Sequence, residues 1–162
     1  MEQHNKIIND TAKKILSPHG IFRKGSSRVW LDDNDYFLIV IEFQPSGYDK
    51  GSYLNVGLTF LWETKEGLND ALVFELGGRV FVNGRQFVSY KDDETFSEEM
   101  ESFASEALKE AEEYRKFRDL EYAKRTLAKE AKFWNVYNLA MLCFFKGDFT
   151  DGKNILISIW IC

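Results

Sequence analysis

The hydrophobic period of this chain changes twice along its length, and that change limits the available folds more than any other feature. Residues 5–17 place Ile7, Ile8, Ala12, Ile15 and Leu16 three or four positions apart, which lines one face of an α-helix. Pro18 and Gly20 end it. Between residues 28 and 90 the apolar residues instead recur every second position or run unbroken, the pattern of strands. After Lys91 the helical period returns and persists. A helix, a block of strands and then helices is the order of an α+β fold, not of alternating βαβ units.

Within the strand block, residues 28–31 form a short strand, and Asp32, Asp33, Asn34 and Asp35 a turn. Residues 36–43 form a nearly continuous apolar strand, of the sort covered on both faces or lying centrally. Residues 52–62 alternate, with Leu54, Val56, Leu58, Phe60 and Trp62 directed to the core and Tyr53, Asn55, Gly57, Thr59 and Leu61 on the other face. Residues 71–90 read as a meander with two hairpins, one turning at Gly77-Gly78 and one at Asn83-Gly84, because paired residues with φ > 0 suit the type I′ turn. An antiparallel sheet of about five or six strands follows. In the C-terminal third, Thr95 and Glu98 suit a capping box ahead of a helix over about 96–118. Residues 119–131 continue the helical period, and segments 133–145 and 149–160 form two helices around Gly147 and Asp148. Residues 1–118 are expected to make an α+β unit, with 119–162 a helical extension packed on it as one structural domain. The 44% apolar and 15% aromatic content suffices for a core in a chain of this length.

The formal net charge is −5, and it is unevenly placed. Residues 1–91 hold 11 cations and 11 acids, whereas residues 92–162 hold 10 and 15. Ten of those acids fall between Asp92 and Glu113, against Lys109 alone. Such a run matches the dipole of a helix N-terminus and also steers association with cationic partners. Glu98, Glu99, Glu101 and Glu106 are the candidate partner-binding face. An acidic chain lacks the basic footprint of a nucleic-acid binder.

No residue pattern points to catalysis. The only histidines are His4 and His19, and no Cys-x-x-Cys occurs, so no zinc site or other metal or cofactor site is expected. Gly-x-Ser-x-Gly and the phosphate-loop patterns are missing. Asp32, Asp33 and Asp35 lack the spacing of a calcium loop. Arg23, Lys24 and Arg28, interleaved with Gly25, Ser26 and Ser27, are the candidate anion-binding cluster, since cations and loop amides together cradle phosphates. Cys143 and Cys162 make no disulfide framework, which suggests a reducing, cytoplasmic compartment. The N-terminus lacks the pattern of a signal peptide, and no apolar run approaches the ~20 residues of a membrane span.

Two resemblances complete the reading. After the opening helix come Leu16-Ser-Pro-His-Gly-Ile-Phe-Arg-Lys-Gly25, the aromatic strand at Val29-Trp30, Asp35-Tyr36 leading into Ile39-Val-Ile-Glu-Phe-Gln44, and Tyr53-Leu-Asn-Val-Gly57. This first third resembles an uncharacterised bacterial family (domain of unknown function 4304), with one residue inserted between Gly20 and Phe22. The resemblance implies an α+β fold and no activity, and carries over no site residues. The tail, Tyr137-Asn-Leu-Ala-Met-Leu-Cys-Phe-Phe-Lys-Gly-Asp-Phe149, is similar to one helical hairpin of a tetratricopeptide-type repeat, and one unit is not an array. The apolar end, residues 155–162, calls for packing against the body or a partner, including a second copy of the chain. The functional expectation is a non-enzymatic protein-binding domain, an immunity-protein-like neutraliser or adaptor with a basic partner. The alternative is a domain binding a small anionic ligand or nucleotide.

Overall fold

A computed structural model describes residues 2–62, 74–129 and 133–160. It shows the α+β fold read from the sequence. Helix α1 (Gln3–Leu16) buries Ile8, Ala12 and Leu16. A single 3-10 turn and Gly20, at φ 80°, redirect the chain. The strands β1 (Phe22–Arg23), β2 (Val29–Asp33), β3 (Phe37–Gln44) and β4 (Gly51–Phe60) then lie side by side in sequence order, every pair antiparallel. Asp35, at φ 72°, makes the tight β2–β3 turn, a conformation that Asp tolerates better than most residues.

The next lane of the sheet is shared by two short strands. β5 (Leu76–Arg79) pairs with Asn55–Leu58 of β4, and β6 (Phe87–Ser89) pairs with Gly51–Tyr53 further along the same edge. The chain leaves that edge between them and turns at Asn83-Gly84, with φ of 51° and 76°. Val82 and Arg85 exchange backbone hydrogen bonds of 2.9 and 3.0 Å across the turn. The expected Asn-Gly turn is therefore present, but it closes a small excursion and not a meander. Gly77-Gly78 is no turn at all: both residues lie inside β5. Their reason is proximity. A Cβ on Gly77 would lie 2.4 Å from the Val56 carbonyl and 2.6 Å from both Gly57 Cα and the Tyr114 hydroxyl. Of the strand expected before them, Leu72 and Val73 fall outside the described residues, as does Cys162.

Helix α2 (Asp93–Tyr114) covers one face of the sheet and packs alongside α1. Trp30, Phe37, Ile39, Ile41, Phe43, Leu54, Val56, Leu58 and Phe60 meet Phe96, Met100 and Phe103, all at most 2% exposed. Ala104, Ala107 and Ala111 let the helix backbone come close. The predicted inward set on β4 is thus confirmed for Leu54 through Phe60, with Trp62 packed on its rim. The opposite sheet face holds a second, small cluster of Leu31, Leu38 and Val40 with Val29 and Phe74, which explains why β3 reads as apolar on both sides. Asn55 and Thr59 on that face are also buried.

The cap of α2 differs from the expectation. Asp92, not Thr95, is the N-cap, and its carboxylate accepts the Thr95 amide. The helix starts three residues earlier because the Asp92 carboxylate accepts the Thr95 amide, which places Thr95 inside the first turn and not in position to cap the Glu98 amide. Beyond Tyr114, a 3-10 turn (Arg115–Arg118) supplies the bend, and Asp119 accepts the Glu121 and Tyr122 amides to start α3 (Leu120–Lys129). Helices α4 (Phe133–Lys146) and α5 (Phe149–Trp160) pack as a hairpin. Gly147, at φ 92°, donates to Phe144, and Asp148 donates to Cys143. That pair of bonds is the Schellman C-cap. No helix among the described residues is long and apolar enough to cross a membrane.

Candidate functional site

The stripe that α2 buries fixes where its acids point. Phe96, Met100, Phe103, Ala107 and Ala111 face the sheet, so the intervening carboxylates line the outer side of a helix about 33 Å long. The structure gives the four acids singled out in the sequence different settings. Arg85 Nη2 lies 2.7 Å from Glu99, Lys14 Nζ 2.8 Å from Glu101 and Lys109 Nζ 3.0 Å from Glu106. Glu98 is exposed and has no cation within 4.0 Å among the described residues. The same holds for Asp92, Asp93, Glu94, Glu110 and Glu112 of the α2 segment, which leaves six acids without an ion pair. The hydrogen bond from Lys109 to Glu106, and the neighbouring acids, hold the Lys109 ammonium above its ordinary pKa.

The basic cluster is not gathered into one site. Arg23 donates to the carbonyls of Ser26 and Ser27 at 2.6 Å each and so closes its own loop. Arg28 points away from it, donating to the Gly51 carbonyl at 3.1 Å and to the Asn5 side chain. Burial, only partly offset by Glu2, lowers the Arg28 pKa.

The aspartates of the β2–β3 turn are structural. Asp32 is 3% exposed and accepts Arg115 Nε at 2.7 Å, with Arg118 Nη2 at 3.9 Å. Arg115 also donates to the His19 carbonyl, and Arg118 to Asn34, at 2.6 Å each. This network binds the α2–α3 bend to the end of β2. Spacing could not reveal it, because the partners lie more than 80 residues apart; the signal available was a carboxylate in an otherwise buried strand. Asp33 accepts the Asp35 amide. No group of three metal-ligating side chains occurs among the described residues.

Above that network sits an aromatic stack. Tyr36, Phe60 and Trp62 lie nearly parallel, with Phe60 and Trp62 centroids 4.6 Å apart and Tyr36 and Trp62 5.7 Å apart. Trp62 donates to Asn138 of α4 at 2.9 Å, and Phe145 of α4 touches the Tyr36 ring. The Tyr36 hydroxyl donates to the Phe117 carbonyl, and burial pushes its pKa up to about 12. The C-terminal hairpin is thereby seated on the end of the sheet. Cys143 is buried on its inner side, which pushes the thiol pKa up and keeps it in the unreactive thiol form. The hairpin leaves Trp134, Phe149 and Ile157 exposed.

No protein-family model, curated protein or solved structure matches the chain.

Proposed function

We propose that this chain is a protein-binding domain that recognises a basic partner through the outer side of α2, as a neutraliser of immunity-protein type or an adaptor. The observation that supports this reading is the set of six α2-segment acids with no cation partner among the described residues, Glu94, Glu98 and Glu112 exposed among them. Like charges along one helix repel one another, so a cationic partner relieves a standing cost. The pairs at Glu99, Glu101 and Glu106 do not block this use. Surface ion pairs contribute only about 0–1 kcal/mol, and a partner's Arg or Lys can replace Arg85, Lys14 or Lys109. Exposed Trp134, Phe149 and Ile157 on the C-terminal hairpin offer apolar contact area to the same partner or to a second copy of the chain.

The test is co-purification from the native host with wild-type protein and with the triple variant Glu94→Gln, Glu98→Gln, Glu112→Gln. A basic partner is expected whose retention falls with added salt and is lost in the variant. A partner held equally well by both proteins would remove the electrostatic reading. Light scattering of the purified chain checks the second-copy role of the hairpin.

A further inference from the structure

A polar cleft of about 320 Å³ lies between the start of α1 and the loop joining β3 to β4. Glu2, His4, Asn5, Arg28, Ser46 and Lys50 line it. The His4 side chain is only 6% exposed, yet it makes no hydrogen bond among the described residues. Its nearest carboxylate oxygen, Glu2 Oε2, stands 3.6 Å from Nδ1, too far for one. Arg28 is fixed by the Phe43 and Gly51 carbonyls, at 3.5 and 3.1 Å, and by the Asn5 side chain, and a guanidinium with five N–H groups keeps two for a ligand beyond those three bonds. Glu2 is the N-cap residue of α1, but its side chain caps nothing. Its carboxylate reaches Lys50 Nζ at 3.2 Å instead. The cleft thus already holds one carboxylate, paired with Lys50 and beside His4, on a side chain that remains 59% exposed.

We propose that this cleft binds the carboxylate of a small organic acid, which displaces Glu2 and takes Arg28, Lys50 and His4 as its partners. The size limits the ligand class, because about 320 Å³ is the lower end of the range for small-molecule sites. The site is independent of the acidic face of α2. It also has a pH dependence with a defined sign. Burial first, then the Arg28 charge and the more distant Lys50, lower the His4 pKa, while Glu2 opposes them. Asp49 is the other carboxylate on the rim, and the Tyr90 ring packs against His4 at 5.7 Å. A bound carboxylate favours the imidazolium, so binding tightens as the pH falls.

The experiment is an NMR titration of the full chain with sodium acetate, with sodium chloride at equal ionic strength as the control. Saturable shifts of the Glu2–Asn5 and Lys50–Gly51 amides are expected with acetate and not with chloride. From the usual strength of an exposed ion pair, Lys50→Gln should weaken binding about threefold and Glu2→Gln should tighten it about threefold. Between about pH 7.5 and about pH 5.5 the wild-type affinity should rise, and His4→Gln should abolish that rise. Shifts that never saturate, equal shifts with chloride, or Glu2→Gln and Lys50→Gln affinities matching wild type would each overturn the proposal. Glu2 and Lys50 are exposed, so those two variants test it even if His4→Gln unfolds the chain.

Discussion

Gly77 and Gly84 both have positive φ, yet the structure assigns them different roles, and replacing each with alanine separates those roles. Gly84, at φ 76°, sits in the Asn-Gly turn, and nothing lies within 4 Å of the position its Cβ would take. Gly84→Ala therefore meets only the cost of a left-handed backbone, about 1–2 kcal/mol. Gly77, at φ 104°, carries that cost and adds a collision, since its Cβ would stand 2.4 Å from the Val56 carbonyl and 2.6 Å from Gly57 Cα. Both are backbone atoms of β4, so no side-chain rotation relieves the contact and β5 must move off β4. Losing one or two ladder hydrogen bonds costs about 0.5–1.5 kcal/mol each. The total for Gly77→Ala comes to about 1.5–5 kcal/mol, centred at about 3, against about 1–2 for Gly84→Ala. For a chain of this size each kcal/mol moves the melting temperature by about 2–4 °C, so thermal and urea unfolding resolve the difference. Equal losses at the two positions would show that Gly77 occupies a turn, and the placement of β5 along β4 would be wrong.

Other substitutions test the joints of the fold. Asp32→Ala leaves Arg115, 20% exposed, without its carboxylate. Breaking a buried pair costs about 3–5 kcal/mol, and partial access to water reduces that to about 2 kcal/mol, readable as a lower urea midpoint. Asp92→Ala should lose about 1 kcal/mol while Thr95→Ala loses almost nothing, because Asp92 is the cap; the reverse order in chemical unfolding would restore the Thr95 capping box. His4 has a lower pKa in the folded chain than in the unfolded one, so its contribution is complete above about pH 6.5 and is lost as the pH falls through that value toward the folded pKa. Melting curves from about pH 7.5 to about pH 5 should show that loss, and His4→Gln should flatten it. Asn138→Leu removes the acceptor of Trp62, and tryptophan fluorescence together with faster hydrogen exchange in α4 should report a loosened hairpin.

Sequence pattern revealed what local periodicity encodes. The alternation from Leu54 to Phe60, the two-sided apolar run of β3, the stripe of α2 and the Gly147 stop were all readable, because each depends on neighbours within a few residues. The errors have one physical origin. Gly77-Gly78 satisfies a turn and a close strand contact equally well, and only the approach of Val56 and Tyr114 decides between them. Thr95 and Asp92 are both competent caps, and the choice depends on where packing of Phe96 and Met100 sets the helix start. The candidate site was readable as charge but not as pairing. Lys14 and Arg85 are 87 and 14 residues from the glutamates they meet, and no local pattern predicts such contacts.

The way α2 is held bears directly on its use as a recognition surface. Its inner stripe packs into the main core, Lys14 joins it to α1, Arg85 joins it to the β5–β6 excursion, and the Asp32 network holds the bend at its end. Few of these contacts are strong singly, but together they oppose movement of the helix in several directions. A rigid helix presents its acids to a partner with little further loss of entropy on binding, so more of the interaction energy appears as affinity. The ion pairs that reduce the free charge of Glu99 and Glu101 are thus part of what holds Glu94, Glu98 and Glu112 in place. Lys14→Met and Arg85→Met therefore separate charge from positioning. Each adds net negative charge, and simple electrostatics predicts tighter binding of a basic partner and a faster on-rate. If orientation of the helix matters more, the same variants speed dissociation, and surface plasmon resonance against the captured partner distinguishes the two through the rate constants.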